Sequence, residues 1–133
     1  MPITTHPWAA RPDIDTDELA DANLLLLGPG HCFRDQVLHL CGTAPDEGGR
    51  AVRFESGSLE TLRRMADRTG GVTLLTELST LYLTGDEAAR VRPLTAPVPR
   101  REVRLLTVRA HLKEGLIDAF AATVREAVAE ALT

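Results

Sequence analysis

The sequence predicts an α/β domain in which helices cover a parallel sheet. Three observations carry this prediction: an apolar run at residues 24–27, strand-like segments that alternate with helical ones, and a composition with 44% hydrophobic and 26% charged residues. Strands separated by helices are typical of βαβ units, whose crossover connections make neighbouring strands parallel. A chain of 133 residues is long enough to form one domain around its own core.

The first half of the chain predicts short strands and helices separated by turns. Residues 23–28 form an apolar run that is typical of a strand buried on both faces. The Gly28-Pro29-Gly30 turn ends this strand and leads into a helical segment at 32–40, at the strand end where α/β proteins place ligand chemistry. The other expectations are an irregular start with Pro2, Pro7 and Pro12, a helix over 17–22 capped by Asp15 or Thr16, a loop at 44–49 and a strand at 51–56.

The second half predicts two well-defined helices and two more strands. Ser58 begins a helix whose apolar face includes Leu59 and Leu62, and Gly70-Gly71 ends it. Residues 113–132 repeat apolar side chains at helical spacing and predict the longest helix. The other expectations are a strand at 72–75, one or two helical turns at 77–83, a proline-broken segment at 90–101 and a strand at 102–109, where apolar and polar residues alternate.

Charge and apolar patterning exclude some classes of protein. The formal net charge of −4 argues against a segment that grips nucleic acid, because phosphate binding needs clustered Lys and Arg. The start of the chain lacks the features of a signal peptide, and its longest apolar run, Leu24–Leu27, is too short to span a membrane. These patterns predict a cytoplasmic protein without membrane association. A structural disulfide is unusual there, so the cysteines are expected to serve packing, metal binding or redox chemistry.

Both cysteines lie in the segment GHCFRDQVLHLC, from Gly30 to Cys41. A helix from Cys32 to Cys41 would separate them by about 13 Å along its axis and place them on opposite faces. A disulfide requires Cα atoms within about 7 Å, so this pair can join only if the helix unwinds. Cys32 would lie in the first turn, where the helix dipole favours the thiolate and where His31 or Arg34 can stabilise its charge. The segment is therefore interpreted as a redox pair, with Cys32 reactive to peroxide and Cys41 resolving.

Other interpretations of this segment stay open. Two cysteines in a cytosolic protein are often only small buried residues. A zinc site would use the four side chains of His31, Cys32, His39 and Cys41, although the chain has no Cys-x-x-Cys pair. No phosphate loop, catalytic triad or carboxylate pair stands out, and no cofactor or metal is predicted.

The segment resembles the redox switch of the OxyR family, the peroxide sensors among LysR-type transcription regulators. The order Gly-His-Cys-x-Arg-Asp-Gln carries the resemblance, with the second cysteine nine residues after the first. THPWA, SLETLRRM, GGVTLL and PVPRREVRLLTVR also resemble family segments and occur in the same order, so the resemblance covers nearly the whole chain. It implies a periplasmic-binding-protein-like (type 2) LysR substrate-binding domain. Residues 1–133 would be a partial regulatory domain, mostly the second subdomain plus the returning C-terminal strand and helix, without a helix-turn-helix.

The resemblance also implies roles for individual residues. By the family motif, Cys32 and Cys41 form a redox-active disulfide, His31, Arg34 and Asp35 surround the reactive sulfur, and the backbone of Gly30 and Phe33 lines the peroxide pocket. The implied effector is hydrogen peroxide, and full-length relatives form homodimers or tetramers. Promoter DNA and RNA polymerase would be contacted only through domains absent from this chain. Its expected role is regulatory, and the alternatives are a LysR-type effector-binding fragment without redox switching and a thiol peroxidase-like enzyme.

Overall fold

The computed structural model of the protein describes residues 6–42, 52–107 and 113–132. The chain divides into two compact units, the first formed by Met1–Leu75 with Thr84–Pro99 and the second by Thr76–Leu83 with Arg100–Thr133. The described elements of the first unit are 3₁₀ helices at Pro7–Ala10 and Thr16–Asp21, strands β1 (Leu24–Leu27) and β2 (Val52–Ser56), and helices α1 (Cys32–Leu40), α2 (Leu59–Thr69) and a short helix at Gly85–Ala88. The second unit contains a short helix at Glu77–Thr80 and a long one at Glu114–Ala131. In chain order the three later helices are α3 (Glu77–Thr80), α4 (Gly85–Ala88) and α5 (Glu114–Ala131).

Strand β1 is the centre of the first unit and is buried along its whole length. It pairs with β2 in parallel, which confirms the predicted βαβ arrangement. Side chains alternate across a strand, so its four leucines face two sides. Leu24 and Leu26 belong to a first core cluster with Leu19, Ala22, Val37, Leu38 and Cys41. Leu25 and Leu27 form a second core cluster with Leu62 of α2.

Helix α2 begins and ends where its sequence signals predict. The Ser58 hydroxyl accepts a hydrogen bond from the Thr61 amide at 3.4 Å and caps the first turn. Gly70 ends the helix with φ of 68°, a left-handed conformation that glycine adopts without steric cost. The cap predicted for the helix at 17–22 is also present. The Asp15 carboxylate accepts a hydrogen bond from the Asp17 amide, although the helix that follows is 3₁₀.

The strand predicted at 72–75 is reduced to a single bridge between Val72 and Leu24. The Val72 amide donates to the Asn23 carbonyl at 3.0 Å, and the Leu25 amide donates to the Val72 carbonyl at 2.8 Å. The Thr73 hydroxyl then donates to the Leu25 carbonyl at 3.0 Å. That carbonyl is the acceptor that the next amide of a parallel ladder would need, so the hydroxyl takes the place of a ladder bond.

The strand predicted at 102–109 is wrong over its described part, since residues 102–107 belong to no strand. Residues 108 and 109 lie outside the described residues. Val103 is 79% exposed and Leu106 is 84% exposed, so the alternating pattern buries neither of these side chains. Alternation predicts a strand only where a neighbouring strand is available to pair with it, and none of the described residues supplies one.

Helix α5 confirms the prediction of a long C-terminal helix. One stripe, Ile117, Ala121 and Val128, is half-buried. A neighbouring stripe of Leu116, Phe120 and Val124 is exposed. Within the described residues, no helix has the length and apolar character needed to cross a bilayer.

Candidate functional site

The segment with both cysteines starts directly after β1, at the carboxyl end of the parallel pair. The Gly28 amide donates to the Ser56 carbonyl at 2.9 Å and continues the pairing for one residue beyond the strand. Gly30 then turns the chain with φ of 91°, a conformation that strongly favours glycine. Helix α1 follows at once, so its N-terminus lies where α/β folds place their ligand chemistry.

Cys32 is the first residue of α1, and its thiol is exposed. The sulfur therefore lies at the N-terminus of the helix, at the positive end of its dipole. His31 is the N-cap residue and is exposed, with no side-chain hydrogen bond to the helix. Asp35 lies in the same turn and is also exposed. This part of the predicted site is open to small solutes on the outer surface of α1.

Arg34 lies on the opposite, inner face of α1 and is only 8% exposed. Its Nη1 donates to the Leu27 carbonyl at 2.8 Å and lies 2.7 Å from Oε1 of Glu55. These contacts bind the guanidinium to the sheet. The expected place of Arg34 beside the reactive sulfur stays a prediction. Glu55 was not among the residues predicted for the site. Phe33 is half-buried and packs against both core clusters.

Cys41 ends the helix and is buried in the first core cluster. Its amide donates to the Val37 carbonyl at 3.0 Å. Burial raises the pKa of the Cys41 thiol above its ordinary value of 9.0, because the thiolate is poorly solvated there. Cys41 is therefore held as an unreactive thiol while α1 is intact.

This burial predicts an alkaline loss of stability. The unfolded chain releases the Cys41 proton near pH 9.0, whereas the folded chain holds it to higher pH. The contribution of this thiol is fully present below that pH and is lost as the pH rises through the folded value. We expect urea unfolding of the reduced protein to show a steeper fall in stability above about pH 9 than unfolding of Cys41→Ala. Parallel curves for the two proteins would contradict the burial of this thiol.

The structure confirms that a helix separates the two cysteines and holds both as thiols. Helical rise puts them about 13 Å apart along the axis, and one is exposed while the other is buried. The same separation weighs against the zinc site of His31, Cys32, His39 and Cys41, since these side chains lie at both ends of α1. Over the described ranges, no group of three or more His, Cys, Asp or Glu side chains is placed to hold a metal ion.

Comparison with known proteins defines the class. Residues 4–129 match the family of LysR substrate binding domains, and the chain belongs to that family. A hydrogen peroxide-inducible genes activator from Pectobacterium carotovorum subsp. carotovorum is 36% identical over 91% of this chain and 39% of its own length. The DNA-binding transcriptional dual regulator OxyR of Escherichia coli K12 is 38% identical over 76% of this chain and 32% of its own length. The chain thus spans only 32% to 39% of the length of these curated relatives.

A solved structure supports the same assignment. The reduced form of the OxyR regulatory domain from Pseudomonas aeruginosa is 42% identical, with a TM-score of 0.56 over 73% of this chain and 45% of that chain. The predicted fold, a periplasmic-binding-protein-like LysR substrate-binding domain, is confirmed. These relatives are transcription regulators of the peroxide response.

Proposed function

We propose that the chain is a redox-sensing regulatory domain of an OxyR-like transcription regulator, with Cys32 and Cys41 as its switch. One observation carries the proposal: a single helix holds an exposed thiol at its N-terminus and a buried thiol at its other end. An exposed thiol at a helix N-terminus is accessible for attack on a peroxide. Its buried partner does not react until the helix opens. The names of the relatives indicate hydrogen peroxide as the oxidant.

The chemistry proceeds in two steps. The Cys32 thiolate attacks one oxygen of hydrogen peroxide, the O–O bond breaks, and the second oxygen leaves as hydroxide and takes up a proton to become water. The sulfur then carries a hydroxyl group as sulfenic acid. The Cys41 thiolate attacks this sulfur and displaces the hydroxyl, which leaves as a second water. In total, two thiols and one peroxide give one disulfide and two waters.

The second step requires a change of structure. A disulfide needs Cα atoms within about 7 Å, so α1 must unwind and Cys41 must leave the first core cluster. In a full-length regulator this change would alter contacts between subunits, and through them the contacts with promoter DNA and RNA polymerase. His31, Arg34 and Asp35 are proposed to surround the reactive sulfur, and the backbone of Gly30 and Phe33 to line the peroxide pocket.

The test is a thiol count by mass spectrometry before and after about one equivalent of hydrogen peroxide. We expect the parent protein to lose both thiols and to give a Cys32–Cys41 cross-linked peptide. Cys32→Ser should form no disulfide and keep its Cys41 thiol, because the buried partner does not react first. Cys41→Ser should accumulate sulfenic acid at Cys32. A Cys32→Ser variant that is still oxidised by peroxide at Cys41 would reverse the roles assigned to the two residues.

The same samples separate the alternatives. A thiol peroxidase would consume many equivalents of peroxide per chain when a thiol reductant is supplied, whereas a sensor stops after one. An effector-binding fragment without redox switching would keep both thiols and would bind a small organic acid. Metal analysis of the purified chain tests the zinc site.

A further inference from the structure

We propose that Glu55 is a positioning residue of the switch: through its ion pair with Arg34 it holds the first turn of α1 on the sheet and favours the dithiol over the disulfide. This inference rests on the proposed function, because it concerns the equilibrium between the two states of the Cys32–Cys41 pair. It adds a residue of β2, outside the cysteine segment, to the parts that set the switch.

The geometry ties the start of α1 to both strands through one side chain. Arg34 follows Cys32 by two residues and lies in the same helical turn. Its guanidinium donates to the Leu27 carbonyl at the end of β1 and pairs with the Glu55 carboxylate of β2 at 2.7 Å. In the strand register Glu55 lies opposite Leu26, near the strand end from which α1 departs. Arg34 thus joins the first turn of α1 to the sheet.

Charge makes the attachment of Arg34 to the sheet depend on Glu55. The Arg34 side chain is only 10% exposed and its guanidinium has little access to water, so it needs an anionic partner close by. The Leu27 carbonyl supplies a dipole but no charge. Since the Glu55 side chain is 40% exposed, solvent screens part of the attraction, and the pair is weaker than a fully buried one. We therefore expect an intermediate effect from its removal.

In this proposal, the contacts of Arg34 with Leu27 and Glu55 exist only in the dithiol state. Arg34 lies inside the segment that must unwind to bring the sulfurs together, and near the end at which Cys32 has to move. Unwinding withdraws the guanidinium from Leu27 and Glu55, so the interaction opposes the disulfide. Removing the carboxylate should consequently favour oxidation.

The experiment equilibrates the full chain with buffers of glutathione and glutathione disulfide. Two thiols give two electrons and two protons to the glutathione disulfide, forming the Cys32–Cys41 disulfide and two glutathione thiols. We expect Glu55→Gln to raise the ratio of disulfide to dithiol about fivefold at fixed buffer, which lowers the midpoint potential by about 20 mV for a two-electron couple. Glu60→Gln is the matched control, because the Glu60 carboxylate pairs with Arg63 at 2.6 Å and Arg64 at 2.9 Å within α2. Its midpoint should equal that of the parent.

Unfolding in urea distinguishes positioning from a general structural role. We expect Glu55→Gln to destabilise the reduced form and to leave the oxidised form unchanged. Equal destabilisation of both forms, with an unchanged midpoint, would overturn the inference while leaving the proposed switch intact. A parent chain that forms no Cys32–Cys41 disulfide in any of these buffers would overturn both.

Discussion

Replacing Gln36 with proline should favour the disulfide over the dithiol by about a hundredfold, because proline costs a helix interior about 3 kcal/mol. Gln36 is exposed in the middle of α1, so the substitution disturbs the helix backbone and not the core. Proline removes the amide that bonds to the carbonyl of Cys32, and its ring clashes with the same turn. Under the proposed switch, only the dithiol state contains this helix, so only that state bears the cost. The glutathione equilibration described above measures the ratio.

Gln36→Ala is the control for this substitution. Alanine keeps the amide and is the most favourable residue in a helix, so its midpoint should stay near that of the parent. Circular dichroism of the reduced proteins shows whether the proline variant has lost helix. A proline variant that has lost helix and keeps the parent midpoint would show that α1 does not hold the switch in its reduced state.

Replacing Leu24 with alanine should lower the free energy of unfolding by about 3 to 4 kcal/mol. Leu24 is 0% exposed, lies in the first core cluster, and pairs with the chain on both sides of β1 through Val52 and Val72. Its removal leaves a cavity in tightly packed surroundings that cannot collapse to fill it. Urea denaturation of the reduced protein measures the loss.

Leu106→Ala is the matched control for this core substitution. The chemical change is the same, but Leu106 is 84% exposed, so the expected loss is within about 0.5 kcal/mol. Similar losses for the two variants would mean that β1 is not the centre of the core.

The elements that the sequence predicted well are those with local signals. The apolar run of β1, the Ser58 cap and the Gly70 stop each act within a few residues, and the structure confirms all three. The strands predicted at 72–75 and 102–109 depended on partners far along the chain. Periodicity describes which side chains share a face, but it does not show whether a neighbouring strand is present to pair with them.

The candidate site divides in the same way: features set by local geometry were predicted, and a contact between distant residues was not. Helical spacing separated the cysteines correctly, because rise and rotation per residue are fixed. The contact of Arg34 with the sheet was not predicted, although a signal existed: Arg34, Val37, Leu38 and Cys41 recur at helical spacing and lie on one buried face. An arginine in such a stripe needs a buried acceptor, which points inward to the sheet. The buried acceptor is the Leu27 carbonyl. The identity of the anionic partner, the partly exposed Glu55, depends on where β2 lies relative to α1, and no local pattern encodes it.

The two core clusters lie on opposite faces of β1, and only the first contains buried residues of α1. Helix α1 contributes Val37, Leu38 and Cys41 to the first cluster, whereas Leu62 of α2 packs with the second. Opening α1 would remove three buried residues from the first cluster, but from the second cluster it would remove only the partly buried Phe33. We therefore expect α1 to open at a free energy below that of complete unfolding. Under the proposed switch, the chain would therefore pass between its dithiol and disulfide states without complete unfolding.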